Sequence, residues 1–383
     1  MEVAMDNLTL NGAIIPPAQI KEIFQHKQQY FKQLSETFLG YPTDLEFDQE
    51  FVHQFTTFNL NNIGDPFAES SFLLNTHDFE VAAINYIVQL LQLDSELYWG
   101  YTTNGGTEGN VFGIHAGRTV FNEGIVYFSE DAHYSVSKGC NITRSEYVII
   151  KSQQNGEFDY VDFAARLNKN RPAIIITTIG TTMKGAIDNN DKIKQILREN
   201  NVQYYIHTDC ALNGLMLPFV ADGLKLIADV DSLAISGHKF IGSFIPFGIC
   251  LSKKSVVDKL SRYVEYVKIH DNTLSGSRNA IAPMILWHYF ATNGLNGVQQ
   301  EVNSCLKLTT YALEQITKLG VSAHCNGVSP IVYFKKPSDK LCHNWELAIY
   351  HGIAHIVILP HVKKILIDQF VNELKLDIAS CEI

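Results

Sequence analysis

Lys239 stands in the run Ser236-Gly237-His238-Lys239, directly after the branched stretch SLAIS (232–236) and before Phe240-Ile241-Gly242. A lysine at a strand end among small and apolar neighbours has its pKa lowered by desolvation or by a nearby cation, and its free amine then attacks carbonyl carbons. An ordinary surface lysine in a strand-turn segment is the competing reading. Asp209 ends the run YYIHTD (204–209), with Cys210 and Ala211 following. In an open parallel sheet the carboxyl ends of strands converge on one crevice, so Asp209 and Lys239 can face a single ligand. Taken alone, Asp209 could equally cap a helix. The stretch TNGGTEGN (103–110) adds Gly105 and Gly106, which permit close backbone approach, and Thr107, whose hydroxyl joins the exposed amides of a helix start. That is phosphate-cradle chemistry, or else a simple capped turn. It contains neither GxxxxGK[ST] nor GxGxxG, which argues against a nucleotide phosphate loop.

Further residues fit around that core. His133, in SEDAHYSVSKG, follows the run IVYFS and can present a flat ring to an aromatic ligand, while the small Ala211 leaves the opposite face open. His238 can hydrogen-bond a phosphate or move a proton, although a structural role suits either histidine as well. An amine, a carboxylate, a phosphate cradle and a flat ring are together what pyridoxal phosphate requires, because a carboxylate facing its pyridine nitrogen keeps that nitrogen protonated and electron-withdrawing. No metal site is expected: His351 and His355 have i,i+4 spacing, but HGIAH lacks the glutamate of HExxH and Gly352 interrupts a helix.

The elements that must position these residues are legible as short branched runs: IVYFS (125–129), YVII (147–150), AIIITT (173–178), YYIHTD (204–209), SLAIS (232–236) and GICLS (248–252). Continuous apolar runs alternating with helical stretches such as 190–199 describe buried strands of a largely parallel sheet covered on both faces. YWGYTT leads through the paired glycines into another helical pattern. Helices are expected over 20–38 and 78–93, a loop over 56–76, and a later α+β region with IVYF (331–334), AHIVILP (354–360) and a terminal helix near 364–378. The predicted organisation is an N-terminal arm over 1–60, a large three-layer α/β domain over 61–290 and a smaller C-terminal α+β domain over 291–383.

Composition sets the frame. The chain has 383 residues, 46% hydrophobic and 18% charged, with a formal charge of −10. An acidic globular chain offers no general handle for nucleic acid or an anionic membrane surface. Seven widely spaced cysteines without a CxxC pair suit a reducing compartment. The N-terminal MEVAMDNLTLNGAIIPP lacks the features of a secretory signal, and no run reaches transmembrane length, so a cytoplasmic location is expected.

With these motifs the chain resembles, from about residue 30 onward, the group II pyridoxal-phosphate-dependent amino-acid decarboxylases, particularly plant serine decarboxylases and short bacterial histidine decarboxylases. The resemblance implies a fold-type-I enzyme with a mostly parallel, seven-stranded sheet. It implies Lys239 as the Schiff-base lysine, Asp209 at the pyridine nitrogen, and His133 and Ala211 on opposite faces of the ring. Gly105, Gly106, Thr107, Ser236 and His238 are then expected on the phosphate side. DNTLSGSRN (271–279) looks like the segment that brings Gly276 and Ser277 to the neighbouring subunit's phosphate, which implies an obligate homodimer. Tyr266 or a nearby loop tyrosine is the candidate proton donor at the substrate's α-carbon. Cys210, Asn213 and Ala280-Ile281 depart from the family's usual residues and put substrate contacts in question rather than cofactor binding. LNNIGDPFAES (60–70) and WELAIYHGIAHIVILP (345–360) lean toward L-serine as substrate, giving ethanolamine, with L-histidine giving histamine as the alternative. An aminotransferase would share the lysine and aspartate without releasing carbon dioxide, and a non-catalytic homologue is the remaining class.

Overall fold

The computed structural model describes residues 8–10, 12–265 and 268–381. Helix α1 (Pro17–Ser35) leads to a short strand β1 (Asn62–Ile63) and helix α2 (His77–Leu90). The central region then runs β2 (Tyr98–Thr103), α3 (Gly106–Val120), β3 (Ile125–Ser129), α4 (Tyr134–Ile142), β4 (Tyr147–Ile150), α5 (Tyr160–Arg166), β5 (Ala173–Thr178), α6 (Asn190–Glu199), β6 (Tyr204–Asp209), β7 (Ser232–Ser236), α7 (Gly237–Phe240), β8 (Gly248–Lys253) and α8 (Lys254–Val257). Three short strands follow, β9 (Arg262–Val264), β10 (Ile269–Asp271) and β11 (Ser277–Arg278), then the long helix α9 (Ile281–Lys318). The C-terminal part contains β12 (Ala323–His324), β13 (Ile331–Lys335), α10 (Asp339–Asn344), β14 (Ala348–Tyr350), β15 (Ile353–Val357) and α11 (Lys364–Cys381).

Seven strands form one sheet in the order β2-β8-β7-β6-β5-β3-β4. Only β8 runs against its neighbours β2 and β7; the remaining pairs are parallel. The continuous apolar runs have a direct cause in this arrangement. Ile174 and Ile176 of β5 pack with Phe112 and Val136 of α3 and α4, whereas Ala173 and Ile175 pack with Ile193 and Leu197 of α6 on the other face. A strand with apolar partners on both sides needs no polar alternation. These are the three layers expected for a fold-type-I enzyme.

A second sheet, β12-β13-β15-β14, is antiparallel throughout. Its core joins Val332 and Phe334 to Ala312 and Ile316 of α9 and to Ile367, Phe370 and Leu374 of α11, with Leu39 inserted from the N-terminal segment. Helix α9 begins at Ile281, before the expected start of the C-terminal domain at 291, and Gly294 breaks it with φ 59°. Its first turns, IAPMIL, are almost wholly buried and have no polar face to reveal a helical period.

Candidate active site

The carboxyl ends of β6 and β7 and the N-terminus of α3 surround one cavity of about 230 Å3. Gly106, Thr107, His133, Asp209, Ala211, Ser236, His238 and Lys239 all line it. Gly105 caps α3 just outside this lining at φ 151°, a conformation that side chains disfavour. A Cβ on Gly106 would collide with Ser236 Oγ, so the bare backbone of this helix start is what lets β7 approach it. Amides at such a start are unpaired within the helix and attract anions.

Asp209 is buried and held at both oxygens: Oδ1 accepts from the Ala211 amide at 3.1 Å and Oδ2 from Asn110 Nδ2 at 2.7 Å. His133 Nδ1 lies 2.7 Å from Ser135 Oγ, which itself accepts from Asn110 Nδ2 at 2.9 Å. His238 Nδ1 is 2.8 Å from the Phe247 carbonyl. Lys239 has neither a salt bridge nor a side-chain hydrogen bond among the described residues, while its carbonyl accepts from the Asp44 amide at 2.9 Å. Burial pushes the Lys239 ammonium below its ordinary range, and the charge of Asp209 only partly opposes this. Burial also lowers His133 and His238, with Lys239 adding to the effect on both.

Two residues expected at a neighbouring subunit's phosphate stand outside this cavity of their own chain. Gly276 and Ser277 are exposed on the β1–β11 pair, where Ser277 Oγ accepts from Asn61 Nδ2 at 3.0 Å, and they do not line this cavity. Tyr266 lies outside the described residues. Asp65 of NIGDPFAES accepts from Trp99 Nε1 at 3.1 Å and from Asn272 Nδ2, tying that turn to the segment before Ser277. Both ring nitrogens of buried His355 face backbone carbonyls, of Met183 at 3.0 Å and Gly40 at 2.9 Å, so the histidine fastens β15 to the segment carrying Pro42 into the cavity.

The donor set suits pyridoxal phosphate. The unpaired amine of Lys239, the doubly anchored carboxylate of Asp209 and the α3 helix start meet in one cavity. Buried Thr178 Oγ1, in the same lining, has no partner among the described residues and can take a polar group of a ligand.

Comparison with known proteins settles the family. The pyridoxal-dependent decarboxylase conserved domain matches residues 108–335. The chain belongs to this family. It is 40% identical over 343 residues to serine decarboxylase 1 of Oryza sativa subsp. japonica, a match covering 88% of this chain and 71% of that protein. It is 37% identical over 359 residues to the histidine decarboxylase of Morganella morganii, covering 92% and 93% of the two chains. The crystal structure of L-methionine decarboxylase from Streptomyces sp. 590 shares the fold at a TM-score of 0.88 and 21% identity, covering 98% of each chain. The protein is thus a pyridoxal-phosphate-dependent amino-acid decarboxylase, releasing carbon dioxide and an amine.

Sequence reasoning passed over Asn110, Ser135, His207 and Thr178. Asn110 lies one helical turn after Thr107, on the same side of α3, and His207 lies two residues before Asp209, on the same side of β6. Those two spacings were the available signals.

Proposed function

We propose that the chain decarboxylates L-serine to ethanolamine, with Lys239 as the amine that carries the cofactor. Bound pyridoxal phosphate supplies the electron sink for the pair left when carbon dioxide departs. Asp209 would hold a proton at the pyridine nitrogen, His133 would lie along one ring face, and Ala211 would leave the other face unobstructed. Gly105, Gly106, Thr107, Ser236 and His238 would hold the phosphate. The desolvation that lowers the Lys239 pKa keeps a larger fraction of its amine unprotonated and nucleophilic.

The observation that carries the serine reading is the likeness of LNNIGDPFAES (60–70) to the corresponding segment of serine decarboxylases, alongside the 40% identity to a serine decarboxylase. Carbon dioxide and amine release by the cofactor-loaded protein, given L-serine, L-histidine and other L-amino acids separately, tests it. Ethanolamine as the preferred product supports the reading; histamine transfers the pocket to histidine.

The working unit in this reading is a homodimer. Helix α1 buries none of its 19 residues and leaves Ile20, Phe24 and Phe31 exposed, an apolar face suited to a second copy. Gly276 and Ser277, exposed and outside their own cavity, are free to serve the partner's phosphate. A cytoplasmic location fits the six described cysteines, all of which are free. No helix among the described residues is long and apolar enough to cross a membrane.

A further inference from the structure

Hydrogen-bond direction around Asn110 follows from the partners. A carboxylate in this setting accepts, so the Asn110 atom 2.7 Å from Asp209 Oδ2 is its NH2 group, and the orientation of the amide is fixed. Asn110 Oδ1 then faces His207 Nε2 at 3.1 Å, which must carry the ring proton. His207 Nδ1 accepts from Ser232 Oγ at 2.6 Å, and Ser232 Oγ in turn accepts from the Tyr205 hydroxyl at 2.6 Å. On the other side, the second amide hydrogen of Asn110 reaches Ser135 Oγ at 2.9 Å, leaving the Ser135 hydroxyl to donate to His133 Nδ1 at 2.7 Å. His133 therefore keeps its proton on Nε2. Turning a group round would set acceptor against acceptor or donor against donor in a buried place: Asn110, Ser135, His207 and Ser232 are each at most 2% exposed. The backbone makes room for the arrangement, since a Cβ on Gly113, one turn beyond Asn110, would collide with the His207 ring.

We propose that Asn110 is a positioning residue for decarboxylation, one side chain that orients both Asp209 and His133 through two hydrogens of a single amide. The inference rests on the reading above, in which Asp209 and His133 face the cofactor. With Asp209 Oδ1 held by the Ala211 amide and Oδ2 by Asn110, the carboxylate plane cannot turn away from the cavity. Ser135 relays the same constraint to the imidazole, selecting one tautomer and one ring orientation. Tyr205, Ser232 and His207 lie behind Asn110 and hold the amide itself in place.

Asn110→Leu removes both bonds at similar volume. The measurements are the cofactor dissociation constant, the visible circular dichroism of bound cofactor, the melting of the apoprotein, and kcat against KM. The expected result is a cooperatively folded apoprotein whose cofactor affinity and kcat each fall by about 10- to 100-fold, with weakened visible dichroism and little change in KM. Wild-type affinity and dichroism in Asn110→Leu would overturn the proposal. Should that variant not fold, Ser135→Ala removes the hydroxyl that links Asn110 to His133 and leaves only the weaker contact of the Ser135 amide, 3.3 Å from His133 Nδ1. It is expected to lose about tenfold in kcat and to alter the dichroism, with both restored by Ser135→Thr; wild-type behaviour of Ser135→Ala overturns the proposal equally. Lys239→Ala, run alongside, separates the two levels. Persistence of the lysine-linked absorbance band in that variant defeats the cofactor reading itself, whereas loss of the band together with an unaffected Asn110→Leu defeats only the positioning role.

Discussion

Arg278 and Glu80 form a buried ion pair, 3% and 0% exposed, whose two ends are unequally supported. Glu80 also accepts from Asn62 Nδ2 at 2.7 Å, from the Thr102 amide at 2.7 Å and from Thr102 Oγ1 at 2.8 Å. Arg278 donates to the carbonyls of Thr102 at 2.9 Å and Gly64 at 2.8 Å, lies over the Tyr101 ring, and leaves Nε without a partner among the described residues. Removing one member of a buried pair costs about 3–5 kcal/mol, because the other charge stays desolvated. Glu80→Met deprives Arg278 of its anion and strands three donors, so it should fall at the top of that range or above it. Arg278→Met leaves the carboxylate with three hydrogen bonds and should cost about 2–3 kcal/mol, a charged-group hydrogen bond and part of the desolvation. Either loss is large against a total stability of about 5–15 kcal/mol. Equilibrium denaturant melts of the apoprotein at one protein concentration give both values. The reverse order, or both variants within about 1 kcal/mol of wild type, would refute this assignment of the two ends.

Three other outcomes follow from the same structure. Burial lowers His207 from 6.5 to about 4, so its neutral form stabilises the fold above pH 6.5 and that contribution is lost as pH falls toward 4, by up to about 3 kcal/mol; melts of wild type and His207→Asn across this window should show a shallower pH dependence in the variant. Gly113→Ala should destabilise by about 1–3 kcal/mol despite the better helix propensity of alanine, because the added Cβ meets the His207 ring, and thermal melts would show it. Deleting α1 should lower the concentration-dependent dimer fraction in sedimentation equilibrium, whereas an unchanged mass would show that the apolar face of this helix is not part of the interface.

The strands were the most legible part of the chain. AIIITT and YYIHTD are bounded in the fold where their composition changes, because helices cover both sheet faces, and Thr177 and Thr208 satisfy each other inside the sheet at 3.0 Å. The reversed direction of β8 was not legible, since direction depends on the connection Ile241–Phe247 and not on the strand's own residues. At the site, Lys239, Asp209 and the paired glycines stood out because small, charged and flexible residues at strand ends are chemically unusual. His207 and Asn110 did not stand out. Each is a polar residue within an otherwise ordinary strand or helix, and only tertiary packing reveals that His207 meets Asn110 rather than solvent.

The central claim is that the amine of Lys239 carries the cofactor in the cavity closed by Asp209 and α3. Borohydride reduction of the cofactor-loaded protein, followed by peptide mass spectrometry, tests it most directly. A phosphopyridoxyl group is expected on Lys239 alone, absent from Lys239→Ala. Modification of another lysine, or none in a protein that still releases carbon dioxide from its substrate, would contradict it.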